Sequence, residues 1–547
     1  MPCSAAAGRR RGALRSALLV VAAAATLLVV GPPVRAAGRT PADPMTYRRP
    51  LGNEPTTLDP ARITDVYSRS VAQQIFDGLV RYDQTLTIVP ALAEFWRASR
   101  DGLSWTFTLR KGVRFHHGRE VTADDVVFSF TRILDPRLHS SAAEVFLSIK
   151  GARDFRGGGA KTVAGLAALD RHTVQITLEA AVSPFVTFLP LGQAKIVPRD
   201  LVEAQGEAFG LRPVGTGPFR FAQWDRGRAI VLAANADYFD GAPRIGKLVY
   251  RIFSGDNSVA MFDEFQKGQL EDSQVPTPQY SQVVAAAGAG SYVYVKRAMY
   301  NVRHYGLNVR IKPLDDRRVR LAIVSAIDRA AILAQVYGGR FIAARGVLPP
   351  GTLGFNPALN VPAWDPQRAR DLLTEAGYPG GRGLPTIAFW SNVRSAGVLR
   401  EHDQIRRDLL AVGIHANFEY QTDWPAFLKM LGEGRAPVFL HAWYADVPDP
   451  DNFLHLLFHS QSPRNYMGYN NPEVDRLLAQ ARSEREITRR VELYRRAEQL
   501  IMDDAVVLPV WHYAYERLFQ PYVRSVEVNG LGDPYIPMRK IWLDSGP

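Results

Sequence analysis

A mixed α/β (α+β) fold divided into several lobes is the architecture this sequence predicts, on three observations. Strand-like and helix-like runs alternate along the whole chain instead of segregating into one half. At 547 residues the chain is too long for one ordinary hydrophobic core. Its composition, 46% apolar and 22% charged with 26 Phe, 21 Tyr and 9 Trp, is that of a globular protein with large side chains to bury.

The chain opens on an export signal. Arg9, Arg10, Arg11 and Arg15 form a basic head, and Ala17 to Val30 is an unbroken run of apolar and small residues, short for a membrane span. Val34-Arg35-Ala36 then offers small side chains for cleavage after Ala36, so residues 1–36 read as a signal peptide. Cys3, the only cysteine, precedes the apolar run, whereas a lipid anchor needs its cysteine after it. A free periplasmic protein is expected, and cysteine-free maturity excludes disulfides, thiolate metal sites and cysteine catalysis.

After a polar linker, Ser68 to Val80 reads as a helix, because Val71, Ile75, Leu79 and Val80 recur at helical spacing. Trp105 to Leu109 alternates as a half-buried strand, and Thr122-Ala123-Asp124-Asp125 starts a helix with Val126, Val127, Phe130 and Ile133 on one face. Val174, Ile176 and Leu178 form another strand. Residues 213–252 predict a β-meander: Gly215 and Gly217 for a tight turn, then three apolar runs ending at Ile252. Asp315 caps a helix that ends at Gly338-Gly339, and Asp365-Pro366 is a cap and first-turn proline for a helix running to Gly377. Pro472 to Ala505 reads as two helices. No internal repeat is present.

The formal net charge of +12 overstates the basicity: five arginines and no acids lie within residues 1–36, leaving +7 on the rest. The remaining cations sit beside acids, without the aromatic interleaving of a nucleic-acid surface. Hydrolase signatures (G-x-S-x-G, H-E-x-x-H) are absent, and GGGAKT at 157–162 lacks the Gly-Lys order of a phosphate loop. His455 and His459 stand one helical turn apart, a spacing zinc, copper or nickel accepts, but Leu456, Leu457 and Phe458 between them favour a packed helix. His116-His117 lies in a turn. No cofactor or structural metal is expected.

As strings, several blocks are more specific than their patterns. LDP at 58–60, IFDGLVRYD at 75–83, the long block 90–136, PVGTGPF with NADYFDGAPRIGKL, residues 307–332, ARDLLTEAGYPGG, HAWYADVPDPDNFL at 441–454 and NPEVDRLLAQA at 471–481 occur in order. The chain so resembles the family 5 extracellular solute-binding proteins, receptors for oligopeptides, dipeptides and nickel chelates that feed ABC transporters. That resemblance implies a monomeric two-lobe, periplasmic-binding-protein-like fold with an extra inserted domain. The ligand is enclosed between the lobes by hinge closure and delivered to inner-membrane permease subunits. It divides the chain into a discontinuous first lobe (41–80 with 213–303 and 516–543), a smaller inserted domain (81–212) and a second lobe (304–515).

The resemblance also implies a site. Asp446, in Trp443-Tyr444-Ala445-Asp446, matches the family's W-x-A-D motif, whose aspartate pairs with a peptide's α-ammonium. A carboxylate in an aromatic-walled cleft is costly until a cation neutralises it. Trp443, Tyr444 and Trp424 are expected to line the cleft. Thr64-Asp65-Val66-Tyr67 matches a stretch whose backbone pairs with an extended peptide, an interaction every peptide supplies. Asp449 and Asp451 read as turn and cap residues. Some oligopeptide receptors place an arginine three residues before the motif's tryptophan; here Leu440 stands there, and Arg394, Arg435 and His441 are the alternatives for a ligand carboxylate. A nickel chelate, oligosaccharide, opine-like conjugate or haem are the competing solutes, and a hydrolase the competing class.

Overall fold

The computed structural model describes residues 43, 45–255 and 257–545; the signal segment and Cys3 lie outside them. The first sheet joins β1 (Thr46–Leu51) to the meander, which forms β6 (Phe219–Asp225), β7 (Ala229–Ala234) and β8 (Lys247–Ile252), in the order β1-β8-β7-β6. Between these lie α1 (Val66–Ile75), β2 (Ala93–Ala98), β3 (Ser104–Leu109), α2 (Ala123–Leu134), β4 (Leu166–Asp170) and β5 (Thr173–Thr177). Strands β2-β3-β5-β4 form a separate antiparallel sheet, and α2 packs on it through Val126, Phe130 and Ile133. The core of this unit is distinct from that of the first sheet, which gathers Tyr47, Ile75, Phe219, Leu232 and Phe519.

The later half builds a six-stranded sheet. Its strands are β10 (Asn301–Leu307), β11 (Ile387–Ser391), β12 (Ala416–Tyr420), β13 (Val438–Tyr444) and β14 (Val507–His512), with Ile342–Ala343 at one edge, in the order 342–343, β14, β10, β13, β11, β12. The two-residue period of strands buries alternate side chains on opposite faces. Val438 and Leu440 join one core with Phe389, Ile323 and Ile405, while Phe439 between them joins the other with Phe427, Leu478 and Ile501. The helices covering these faces are α3 (Arg317–Ala326), α4 (Pro366–Glu375), α5 (Ala396–Leu410), α6 (Trp424–Gly432), α7 (Pro472–Ser483) and α8 (Ile487–Asp503). Gly306 is required where β10 crosses Phe439, since a Cβ there would meet its ring at 2.4 Å.

Two strand crossings connect the halves. β9 (Val293–Ala298) continues into β10 and β14 continues into β15 (Ala514–Phe519), while β9 and β15 pair with each other. The crossings are laced together by Met299 N–H donating to the Tyr513 carbonyl (3.0 Å) and Tyr513 N–H donating to the buried Asn301 Oδ1 (2.7 Å).

Three local expectations change. The helix expected over 68–80 is α1, 66–75, and Val80 opens a short strand. Asp65 caps α1 by accepting from Ser68 N–H, the chain turns extended at Phe76, and Gly78 then passes against the Leu189 carbonyl, 3.0 Å from where a Cβ would stand. Asp316, not Asp315, caps α3, and α3 stops at Ala326, well before Gly338-Gly339. Gly215 and Gly217 serve close approach: a Cβ on either would lie within 2.5 Å of the Ile75 backbone, and Gly217 N–H donates to the Ile75 carbonyl (2.8 Å). The meander is thus docked on the end of α1.

Candidate functional site

Strand direction brings the candidate residues together. β11 runs parallel to both β12 and β13, so Ser391, Tyr420 and Tyr444 end at one edge of the sheet. From that edge β11 leads to Arg394, β12 leads to Trp424 at the first turn of α6, and β13 leads to Asp446. In α/β sheets the crevice beyond the strands' carboxyl ends is where loops and helix starts leave room for ligands. β14 reaches the same edge, because it and β13 both pair antiparallel with β10, and its successor Tyr513 stacks on Tyr444 (5.7 Å between centroids).

At this edge Tyr444, Trp424 and Asp446 are half exposed (49%, 45% and 50% for the Asp446 side chain). Trp424 stacks on the buried His441 at 6.0 Å, and His441 lies 5.6 Å from His304 on β10. Burial first of all pushes both imidazoles down, His304 to about 3 and His441 to about 4, so they are neutral supports of the aromatic wall. Arg394 is exposed, its guanidinium 5.6 Å over the Tyr420 ring. Asp446 is held by its backbone, whose N–H donates to Asn452 Oδ1 (3.1 Å), leaving the carboxylate free to face outward. Across the cleft Arg69 of α1 reaches it, Nη1 to Oδ1 3.9 Å, so the edge faces the first sheet's unit.

The structure redraws several assignments. Trp443 points away from Tyr444, packing into the helix-covered core with Nε1 donating to Asn452 (3.4 Å). Val66 and Tyr67 are helical, so strand-type pairing is not open to them; only Thr64 before the cap has a backbone N–H and carbonyl with no partner among the described residues. Leu440 is buried in the core, and Arg435 pairs with Glu433 (2.7 Å) before the start of β13, with that strand, about 20 Å long at 3.3 Å per residue, between it and Asp446. Asp449 keeps its expected turn role, accepting from Asp451 N–H (2.9 Å), and both acids are in addition buried ion-pair partners: Asp449 accepts from Arg490 (2.6 Å) and Asp451 lies 3.2 Å from Arg482. His455 and His459 stack at 4.5 Å, with Arg482 against His455 (3.2 Å). His116 is a tie, its Nδ1 accepting from Gly215 N–H (3.3 Å) and its Nε2 donating to the Gly217 carbonyl (3.0 Å). Among the described residues no group of three His, Cys, Asp or Glu side chains is placed to hold a metal ion. Arg69 escaped the sequence reading because no local pattern marks a contact between distant lobes.

A sequence model of bacterial extracellular solute-binding proteins, family 5 (middle), matches residues 87–465. The chain is a family 5 extracellular solute-binding protein. This solute-binding protein is 30% identical over 497 residues to di/tripeptide-binding protein 2 of Pseudomonas aeruginosa, covering 87% of this chain and 91% of that one. It is equally 30% identical to heme-binding protein A of Haemophilus influenzae, over 89% and 90% of the two chains. Among solved structures, the periplasmic murein tripeptide binding protein MppA in its unliganded open form superposes with a TM-score of 0.80 at 26% identity, covering 93% and 99%. The half-exposed Asp446, Trp424 and Tyr444 of this solute-binding protein fit an open cleft of that kind. No described helix is long and apolar enough to cross a membrane.

Proposed function

We propose that this chain is the periplasmic receptor of an ABC importer that captures short peptides, the α-ammonium resting on Asp446 and the carboxylate end directed to Arg394. The observation that carries the reading is the sheet edge, where Asp446 and Arg394 follow two neighbouring parallel strands beside half-exposed aromatic rings. Opposite charges presented at one edge complement a zwitterion. Trp424 and Tyr444 flank its side chains, and the Thr64 backbone offers one main-chain donor and acceptor. The separate cores support a division into a first lobe (41–80, 213–303, 516–543), an inserted domain (81–212) and a second lobe (304–515), with the strand crossings at Met299-Tyr300 and Tyr513 as the hinge. Closure would press α1, which already reaches Asp446 through Arg69, further onto the edge and exclude water from the ion pairs, strengthening them. Peptide binding by the Pseudomonas relative supports the substrate class. Mass spectrometry of solute released by denaturing purified protein tests this directly. Di- to oligopeptides are expected; haem, a nickel chelate or a sugar as the sole retained solute would refute it.

A further inference from the structure

Beside α1, one helical turn along from Arg69, lies a cavity of about 150 Å³, room for several water molecules. Gln73, Asp77, Tyr82, Lys195, Tyr238 and Tyr535 are among its walls. Its place next to the cleft follows from its wall residues. Gln73 stands one helical turn from Arg69 on α1. Tyr82 and Tyr535 meet edge to face at 5.6 Å, and the Tyr535 phenol, pushed up to about 12 by burial, also feels the opposed charges of Arg69 and Asp446.

The charged groups in the walls have hydrogen-bonded partners, except that Lys195 has only the attraction of Asp77. Arg81 and Arg539 share Asp240, Lys540 pairs with Glu527 (2.9 Å), and Asp77 accepts from Thr216 and the Tyr238 phenol, both at 2.9 Å. Lys195 is buried, 4% exposed, yet its ammonium has no hydrogen bond or ion pair with any described residue. Burial pulls its pKa down to about 8, against the attraction of Asp77, so it carries its charge at neutral pH. The ammonium opens on the cavity, where water alone solvates it beside Asp77, and an anionic group brought there would gain a charge-assisted contact in a largely buried setting.

We propose that this cavity is an anion subsite in which Lys195 receives a carboxylate-like group. The group belongs either to an acidic side chain of the peptide whose ammonium rests on Asp446 or to a small free anion. The first source rests on the peptide reading above; the second does not. No bond is made or broken, and selectivity for acidic ligands is the consequence.

Calorimetry with the full chain compares Glu-Ala with its neutral isostere Gln-Ala, on the native protein and on Lys195→Met. A ligand-borne anion predicts that the native protein prefers Glu-Ala by roughly tenfold, as expected for a charge-assisted contact, and that Lys195→Met binds both alike with Gln-Ala affinity unchanged. In parallel, thermal denaturation in succinate or inorganic phosphate against chloride at equal ionic strength tests the free anion: stabilisation of the native protein, lost in Lys195→Met, supports it. Lys195→Gln serves if the methionine variant fails to fold. Equal affinity for the two dipeptides together with no anion-specific stabilisation overturns the proposal. Should neither dipeptide bind the native protein, the peptide reading falls while the anion arm still decides on the cavity.

Discussion

Asp446 is held at 3.9 Å from Arg69 in a half-exposed setting, and an exposed ion pair of that length contributes at most about 1 kcal/mol. A ligand ammonium has therefore little to displace, and Arg69→Ala is expected to raise peptide affinity by a few-fold at most; a large loss would assign Arg69 a direct role in holding the ligand. Trp424 supplies apolar surface without belonging to a core. Trp424→Ala should weaken peptide binding by about tenfold, within the range of aromatic anchors, while leaving the melting temperature unchanged; calorimetry and differential scanning fluorimetry read the two effects separately. The buried imidazoles behave in the opposite manner. His304 and His402 are held down to about 3 and His441 and His512 to about 4, burial being the chief cause in each. An unfolded imidazole takes its proton near pH 6.5, so each of these contributes stability that is full above that pH and is lost as pH falls toward its folded value. Nitrogen-15 NMR should find all four neutral at pH 5, and a midpoint near 6 for any of them would contradict the burial argument.

At the scale of elements, α1 and the three parallel strands do most to place the site. The capping of α1 by Asp65 turns Val66 and Tyr67 into a first helical turn, so a stretch read as a peptide-pairing strand offers only Thr64. The clue was present in the Asp65–Ser68 spacing, a helix-start signal that the stronger hydrophobic rhythm of residues 71–80 obscured. The GTGPF turn has the reverse history. Its meander was legible from turn residues and alternation, but the reason for its glycines lies in a contact with Ile75, far away in sequence, that no local pattern records. Gly217→Ala is expected to destabilise by about 1–3 kcal/mol through overpacking against backbone that cannot yield. Its melting temperature should fall by several degrees while the dipeptide affinity of the folded protein is unchanged. An unaltered melting temperature would mean that the turn and α1 can separate freely.

For the molecule as a whole, the family membership and the mixed α/β class were legible because many short blocks keep their order along the chain. The motif around Asp446 was legible as a string, and the sheet supplies what the string lacks: parallel strands that deliver Arg394, Trp424 and Asp446 to one edge. Arg435 looked equivalent to Arg394 in sequence and is excluded only by standing at the other end of β13. Arg69 and Lys195 come to the cleft and the cavity through folding of distant segments, which is why neither could be read in advance. Peptide capture depends above all on the ammonium–Asp446 contact, which a calorimetric cycle probes: a dipeptide and its N-acetylated form, each titrated into the native protein and into Asp446→Asn. Acetylation and substitution should each weaken binding by more than about 100-fold, the cost of unpairing one member of a desolvated ion pair, and together cost little more than either alone. Dipeptide affinity unchanged in Asp446→Asn, with the fold intact by circular dichroism, would contradict the account.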